Sequence, residues 1–308
     1  MRLRCRPAIP PDAARAADDG RACGAPAAAA RWRIPSLHRW NLDVEHHATD
    51  RHPASFSQRW LLFSLAAAAA IALALHGALP QPADYHAFAD ARAWLGLPNA
   101  ANVLSNLPFA LIGAWGLWRL SAPQCSPVHA AWRCFCAALA CTGLGSAVYH
   151  WAPANASLVL DRLPIAWACA ALLCAFLSER VDVRCGKAST LCGAFIVATA
   201  GVAWWWLSER QGHGDLRPYL YLQFLPMLLV PAALCMKLRV QNHGGVPDAA
   251  WWAVLALYAA AKLMEFADHS VFDALLFTSG HTLKHLLAAA AALCVVRAAV
   301  GNAASQLR

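Results

Sequence analysis

The chain has little charge: Asp, Glu, Lys and Arg make up 14% of its 308 residues, against 59% hydrophobic residues. That balance excludes an ordinary soluble globular protein, in which charged residues near a quarter of the chain cover the surface. The sequence also has no CxxC pair. Its twelve cysteines are scattered singly, and Cys134 and Cys136 form the one close pair. Neither a zinc ribbon nor a disulfide framework is therefore supported, and a thiol inside an apolar stretch behaves as a small hydrophobe. The net charge of +8 is uneven: residues 1 to 59 hold ten Arg against six acids, while the remaining 249 hold fifteen basic and eleven acidic residues. Such placement reads as membrane topology rather than nucleic-acid binding.

What the chain does have is eight apolar blocks, near residues 60–79, 102–119, 129–149, 158–178, 189–207, 218–236, 250–267 and 281–299. Each is close to the length a helix needs to cross a bilayer. The connections between them are short and leave no room for a soluble domain. Pro80, Pro82, Pro123, Pro127, Pro153 and Gly280 punctuate the block ends. Pro108, Pro164, Pro226 and Pro231 lie inside blocks, where neighbouring helices can satisfy the freed carbonyls. The expected fold is an all-α, polytopic membrane bundle. Residues 1–58 are rich in Arg, Ala and Pro and read as a disordered tail, too long and too late in its apolar run for a signal peptide. The Glu45-His46-His47 patch with His52 belongs to that tail and reads as solvated. Residues 301–308 form a second, short tail.

Eight crossings put both termini on one side. Loops on that side carry Arg119, Arg180, Arg184, Lys187, Lys237 and Arg239, and the opposite loops carry Arg92, Arg210 and Arg217. The positive-inside bias then predicts cytoplasmic termini and opposite loops facing the periplasm or lumen.

Three polar motifs fall at that opposite level. The third block ends with Ser146 and His150, four apart on one helical face. The fourth opens with Asp161-Arg162-Leu163-Pro164, and the eighth with His281 and His285, again four apart. The His281/His285 pair alone fits either a shared metal ion or a wet cavity. With His150 it amounts to three imidazoles from two converging helices, the ligand number of an open catalytic zinc site. Imidazole donors without a thiolate favour zinc, and leave iron or another divalent ion open. A water in the fourth position would be acidified by the metal. Asp161 is the natural acceptor for its proton and Ser146 a hydroxyl donor to a developing oxyanion. An Asp161–Arg162 ion pair is disfavoured, because adjacent helical residues do not face each other. Ser146 alone reads equally well as helix packing.

The Ser146-x-x-x-His150 pair, Asp161 eleven positions later and the late His281-x-x-x-His285 pair resemble the signature of the alkaline ceramidase family. That family lies within a superfamily of seven-helix membrane hydrolases that includes the adiponectin-receptor-like proteins. The stretch Asn99-Ala100-Ala101-Asn102-Val103-Leu104-Ser105-Asn106 is similar to the family's first core helix. The resemblance implies a seven-helix catalytic domain over residues 84–300, zinc on His150, His281 and His285, Asp161 as base, and Ser146 as oxyanion stabiliser. It further implies hydrolysis of a ceramide-like membrane lipid to a sphingoid base and a fatty acid. The block at 59–80 is then an extra N-terminal transmembrane helix. Eukaryotic members carry an acidic calcium cluster before the first core helix. Asp84, Asp90 and Asn99 offer oxygens there, but Asn99 stands where a glutamate is expected, which leaves calcium open.

Near the end of the seventh block, Glu265, Asp268 and His269 are expected to support the metal ligands, by hydrogen bonding to an imidazole or by pairing with Lys262. Lys284, on another face than the two histidines, is free to snorkel or to meet a lipid headgroup. Trp204-Trp205-Trp206 and Trp251-Trp252 lie at block ends and read as aromatic belts. Two rivals to ceramide hydrolysis stay open. One is a hydrolase of the same architecture acting on another lipid amide or ester, and the other a non-catalytic lipid receptor or ion transporter.

Overall fold

The computed structural model describes residues 54–122, 126–241 and 245–306. Residues 1–53, which include Glu45, His46, His47 and His52, lie outside the described residues. Among the described residues, eight helical segments are long and apolar enough to cross a membrane, as the eight blocks predict. No β-strand forms among them; a single bridge between Trp94 and Leu97 closes a turn. The chain is thus an all-α, multi-pass membrane protein, a seven-helix core with one additional N-terminal helix.

That additional helix, α1 (Phe56–His76), starts at a reciprocal cap. Ser55 Oγ accepts from Gln58 N–H at 3.2 Å, and Gln58 Oε1 accepts from Ser55 N–H at 2.9 Å. Of its residues only Leu62 is buried, so α1 lies at the edge of the bundle. The next span, Ala100–Arg119, is broken into α2 (Ala100–Leu104) and α3 (Leu107–Arg119). Pro108 lacks the N–H that would continue the ladder back to Leu104, and the break turns Ser105 and Asn106 into the bundle, where both are buried.

α4 (Pro127–Trp151) and α5 (Asn155–Arg180) form the central antiparallel pair. At Gly145 a Cβ would strike the Leu160 carbonyl, so the two backbones touch next to Asp161 and five residues before His150. This close approach is the packing that small residues permit between membrane helices. After a 3-10 turn (Val183–Gly186) follow α6 (Ala188–Arg210), α7 (Arg217–Cys235) and α8 (Asp248–Phe266). α1 packs on α7, where Tyr221 donates its hydroxyl to the Ala66 carbonyl at 3.1 Å and Arg217 reaches the Ala74 carbonyl at 3.1 Å. A short α9 (Asp268–Leu275), absent from the sequence expectation, turns the chain into α10 (Gly280–Gln306). At Gly280 a Cβ would meet the Met264 carbonyl and the backbone of Asp268, which seats the start of α10 in the α8–α9 corner.

At the end of the bundle away from this corner, Glu179 and Arg180 are buried and make several polar contacts, with Arg180 Nε left without a partner. Glu179 accepts from Trp132 Nε1 at 2.8 Å and from Val246 N–H at 3.0 Å. Arg180 donates to the Leu238 and Val246 carbonyls at 2.8 and 2.7 Å and pairs with Asp248 at 2.7 Å. These contacts tie the α7–α8 connection to α5, and buried charges are tolerated in a bundle only when so partnered. The belt reading fails for two tryptophans: Trp205 and Trp251 are fully buried, whereas Trp204 and Trp252 are exposed. Trp251 packs tilted against Trp132 and edge-to-face against Phe176 in the core.

Candidate metal centre and cavity

His150 lies in the last turn of α4, and His281 and His285 in the first two turns of α10. All three are buried. Their ring centroids form a nearly equilateral triangle with sides of 4.8, 4.9 and 4.8 Å. The Nε2 atoms of His150 and His281 are 3.2 Å apart, and the three rings make up a group able to hold a metal ion, with candidate ligand atoms within 4.8 Å of one another.

The hydrogen-bond network orients these rings. Ser105 donates its hydroxyl proton to the Asn102 carbonyl at 3.0 Å, so at 2.8 Å from His285 Nδ1 its oxygen accepts. In that arrangement His285 is the Nδ1–H tautomer with a free Nε2 lone pair, although the Asn106 Nδ2 donor also lies 3.4 Å from Nδ1. Thr282 donates to Asn102 Oδ1 at 2.8 Å, and Asn102 Nδ2 donates to the Asp90 carbonyl at 3.1 Å. The backbone N–H of His281 donates to Asp268 Oδ1 at 2.7 Å, and Asp268 Oδ2 accepts from Ala89 N–H at 3.0 Å. A carboxylate at the start of α10 also suits the positive end of the helix dipole. Asn99, held in the left-handed region at φ 47°, donates to the His150 carbonyl at 2.9 Å. Phe88, from the loop before α2, covers the triangle with its ring 4.7 Å from that of His150 and 4.6 Å from that of His281.

The donor set fits a divalent cation. Three buried imidazoles meet with no acid among them, His150 Nδ1 is buried without a hydrogen-bond partner, and no thiolate shares the site. Such donors suit zinc, iron and similar ions.

Next to the triangle a cavity of about 450 Å³ runs into the bundle. Ser146, Asp161 and His285 line one part of it, and Phe109, Phe135, Leu139, Leu172, Val254 and Val295 supply an apolar wall. Ser146 and Asp161 share this lining, and Asp161 Oδ1 is buried and has no hydrogen-bond partner. Lys284 does not snorkel to the membrane surface. It lines the cavity and pairs with Glu265 at 2.6 Å, and Lys262 pairs with the other oxygen of the same carboxylate at 2.6 Å.

The structure therefore brings together Ser146, His150, Asp161, His281 and His285. The expected supports divide. Asp268 holds a metal-capable histidine through its backbone rather than its ring, Glu265 serves the two lysines, and exposed His269 hydrogen-bonds the Ala87 carbonyl at 3.2 Å. The residues considered for calcium fit it poorly. Both Asp90 oxygens are taken by Arg92, each at 2.8 Å, Asp84 is exposed, and Asn99 is held by its amide N–H on the His150 carbonyl. Hydrogen bonding by Arg92 holds the Asp90 carboxyl below the usual carboxylate range. The folded value lies below the unfolded one, so this contribution is complete above the ordinary carboxylate value and is lost as pH falls through the lowered one. Sequence reasoning missed Phe88, Ser105 and Thr282. The signal for Ser105 was present, since Asn102, Ser105 and Asn106 are polar residues inside an apolar block.

Fold and site together define an integral membrane protein in which a buried three-histidine group, able to bind a metal ion, adjoins a largely apolar internal cavity. A family model described as Ceramidase matches residues 98–299, and the chain belongs to that family. Membership supports a membrane enzyme that hydrolyses the amide bond of ceramide. No curated protein and no solved structure matches the chain significantly.

The network predicts that Ser105→Ala, by releasing the His285 ring, weakens divalent-metal affinity by about ten- to a hundredfold. Competition against a chromophoric chelator measures this, and an affinity equal to wild type would contradict the assigned tautomer.

Proposed function

We propose that the protein is a zinc-dependent amidase that cleaves ceramide-like lipids to a sphingoid base and a fatty acid. The observation that carries this reading is a three-imidazole group, one ring of which, His285, lines an apolar cavity together with Asp161, whose buried Oδ1 has no hydrogen-bond partner. His150, His281 and His285 would hold the ion, with Ser105 fixing the tautomer of His285. When bound, zinc supplies Lewis-acid activation of water and of the acyl carbonyl.

The chain's own residues do the rest. Asp161 Oδ1 takes the proton of the attacking water and returns it to the departing amine nitrogen, so that the carboxyl acts first as base and then as acid. The Ser146 hydroxyl donates to the oxyanion that forms as the carbonyl is attacked. The apolar wall of Phe109, Phe135, Leu139 and Leu172 receives the hydrocarbon chain and keeps bulk water away from the reacting groups. Phe88 closes over the histidines on the other side.

In this reading residues 84–300 form the catalytic domain, 59–80 an accessory helix, and 1–58 and 301–308 tails. Both termini are cytoplasmic and the active site lies toward the periplasm or lumen, an assignment supported by six basic loop residues against three.

Asp161→Asn is expected to lower turnover of an N-acyl sphingoid lipid by about 10²- to 10⁴-fold while metal content stays that of wild type. Turnover retained in this variant would defeat the proposal. Release of fatty acid from other lipid amides or esters, with none from ceramide, would reassign the substrate. For sidedness, Ala154→Cys is expected to react with a membrane-impermeant thiol reagent added from the periplasmic or lumenal side, and reaction from the cytoplasmic side would reverse the topology.

A further inference from the structure

Arg162, beside Asp161 on α5, has no part in the chemistry above, yet it is among the most deeply buried side chains, at 2% exposure. Its guanidinium carbon lies 4.0 Å from the ring centroid of Trp205, 4.9 Å from that of Tyr85 and 5.2 Å from that of Tyr219. The ring faces offset the positive charge through their quadrupoles, but they do not satisfy the in-plane N–H groups. Nε and Nη1 are both buried and have no hydrogen-bond partner, and no ion pair to Arg162 forms among the described residues.

Buried donors left unmet are destabilising, more so on a charged group. Arg162 forms part of the wall of the cavity that Ser146, Asp161 and His285 also line, so a molecule in that cavity can meet them. The other cations in the same wall already have a charge partner: Lys262 and Lys284 each hold a Glu265 oxygen at 2.6 Å. What the bare donors require is an oxygen acceptor, and a guanidinium presents its N–H groups as a rigid fork suited to a hydroxyl, a phosphoester or a carboxylate.

We propose that Arg162 determines headgroup specificity: its guanidinium edge donates to an oxygen on the polar head of the lipid whose amide lies at Asp161. The aromatic trio keeps the side chain in place while the cavity is empty, and the lipid supplies the missing acceptor on binding. A neutral hydroxyl and an anionic phosphoester share this chemistry. The inference takes its substrate class from the amidase reading.

Three N-acyl lipids of one chain length provide the test, with a primary hydroxyl, a phosphoester, or a methyl group at the head position. Binding is measured to the Asp161→Asn protein in detergent micelles, where no turnover intervenes. Lipids with a head oxygen are expected to bind about ten- to a hundredfold more tightly than the methyl-headed lipid. Adding Arg162→Gln should bring that ratio to about one. Arg162→Lys, which retains the charge over the rings without the fork, should give an intermediate ratio and carries the test if the glutamine variant does not fold. Tighter binding of the phosphoester than of the hydroxyl identifies an anionic head, and the reverse order a neutral one. Equal binding of all three lipids, or a ratio unchanged by both Arg162 substitutions, overturns the proposal. A wild-type protein that cleaves ceramide but shows no head preference would refute this inference alone. One that cleaves nothing yet keeps the Arg162-dependent ratio would refute the amidase reading alone.

Discussion

Three imidazoles buried in the interior of a membrane bundle are the constraint on which the rest of this structure depends. Polar groups in such a place are costly unless they are engaged, and the surrounding elements hold the three residues through one ring nitrogen, one backbone N–H and one backbone carbonyl, leaving His150 Nδ1 without a partner. The α2–α3 break brings Ser105 to His285, α9 brings Asp268 to the backbone of His281, and the loop before α2 brings Asn99 to the His150 carbonyl and Phe88 to the rings. These contacts come from three separate segments, so the triangle works as a clamp on the fold as well as a candidate metal centre. Gly145 and Gly280 are its steric counterparts, since both sit where helices approach too closely for a side chain.

The cavity divides into a polar part and an apolar wall, and that division follows from the helices that build it. α5 carries Asp161 and Arg162 in its early turns and Leu172 further along; α10 carries Lys284 and His285 early and Val295 later. A lipid with its scissile amide near the histidines would lay its hydrocarbon chain along the later turns of the same helices. The Glu179 and Arg180 contacts hold the far end of α5, so both ends of the central helix are fixed.

Much of this was legible in the sequence, for reasons that also show where legibility stops. Each span was visible because an apolar run of bilayer length reports itself through composition alone. The site residues were visible because Ser146/His150 and His281/His285 repeat at one helical turn and the crossing order returns both pairs and Asp161 to one level. What composition does not report is which face of a helix meets a neighbour. Trp205 and Trp251 occupy block ends, where belts are common, but face inward, one under Arg162 and the other against Phe176. Lys284 sits one residue from His285 and reaches Glu265 inside the cavity rather than the membrane surface. Asp90 offered oxygens to a cation until its pairing with Arg92, two residues away, was seen. The α2–α3 break needed Pro108 to be read as a breaker rather than as a tolerated interior proline.

The measurement that bears most directly on this account is X-ray absorption spectroscopy at the zinc edge on the purified full-length protein, with metal quantified in the same sample. The account predicts about one zinc per chain in a shell of three imidazole nitrogens and oxygen donors, with no sulfur. Absence of bound metal, or a shell containing cysteine sulfur, would contradict it.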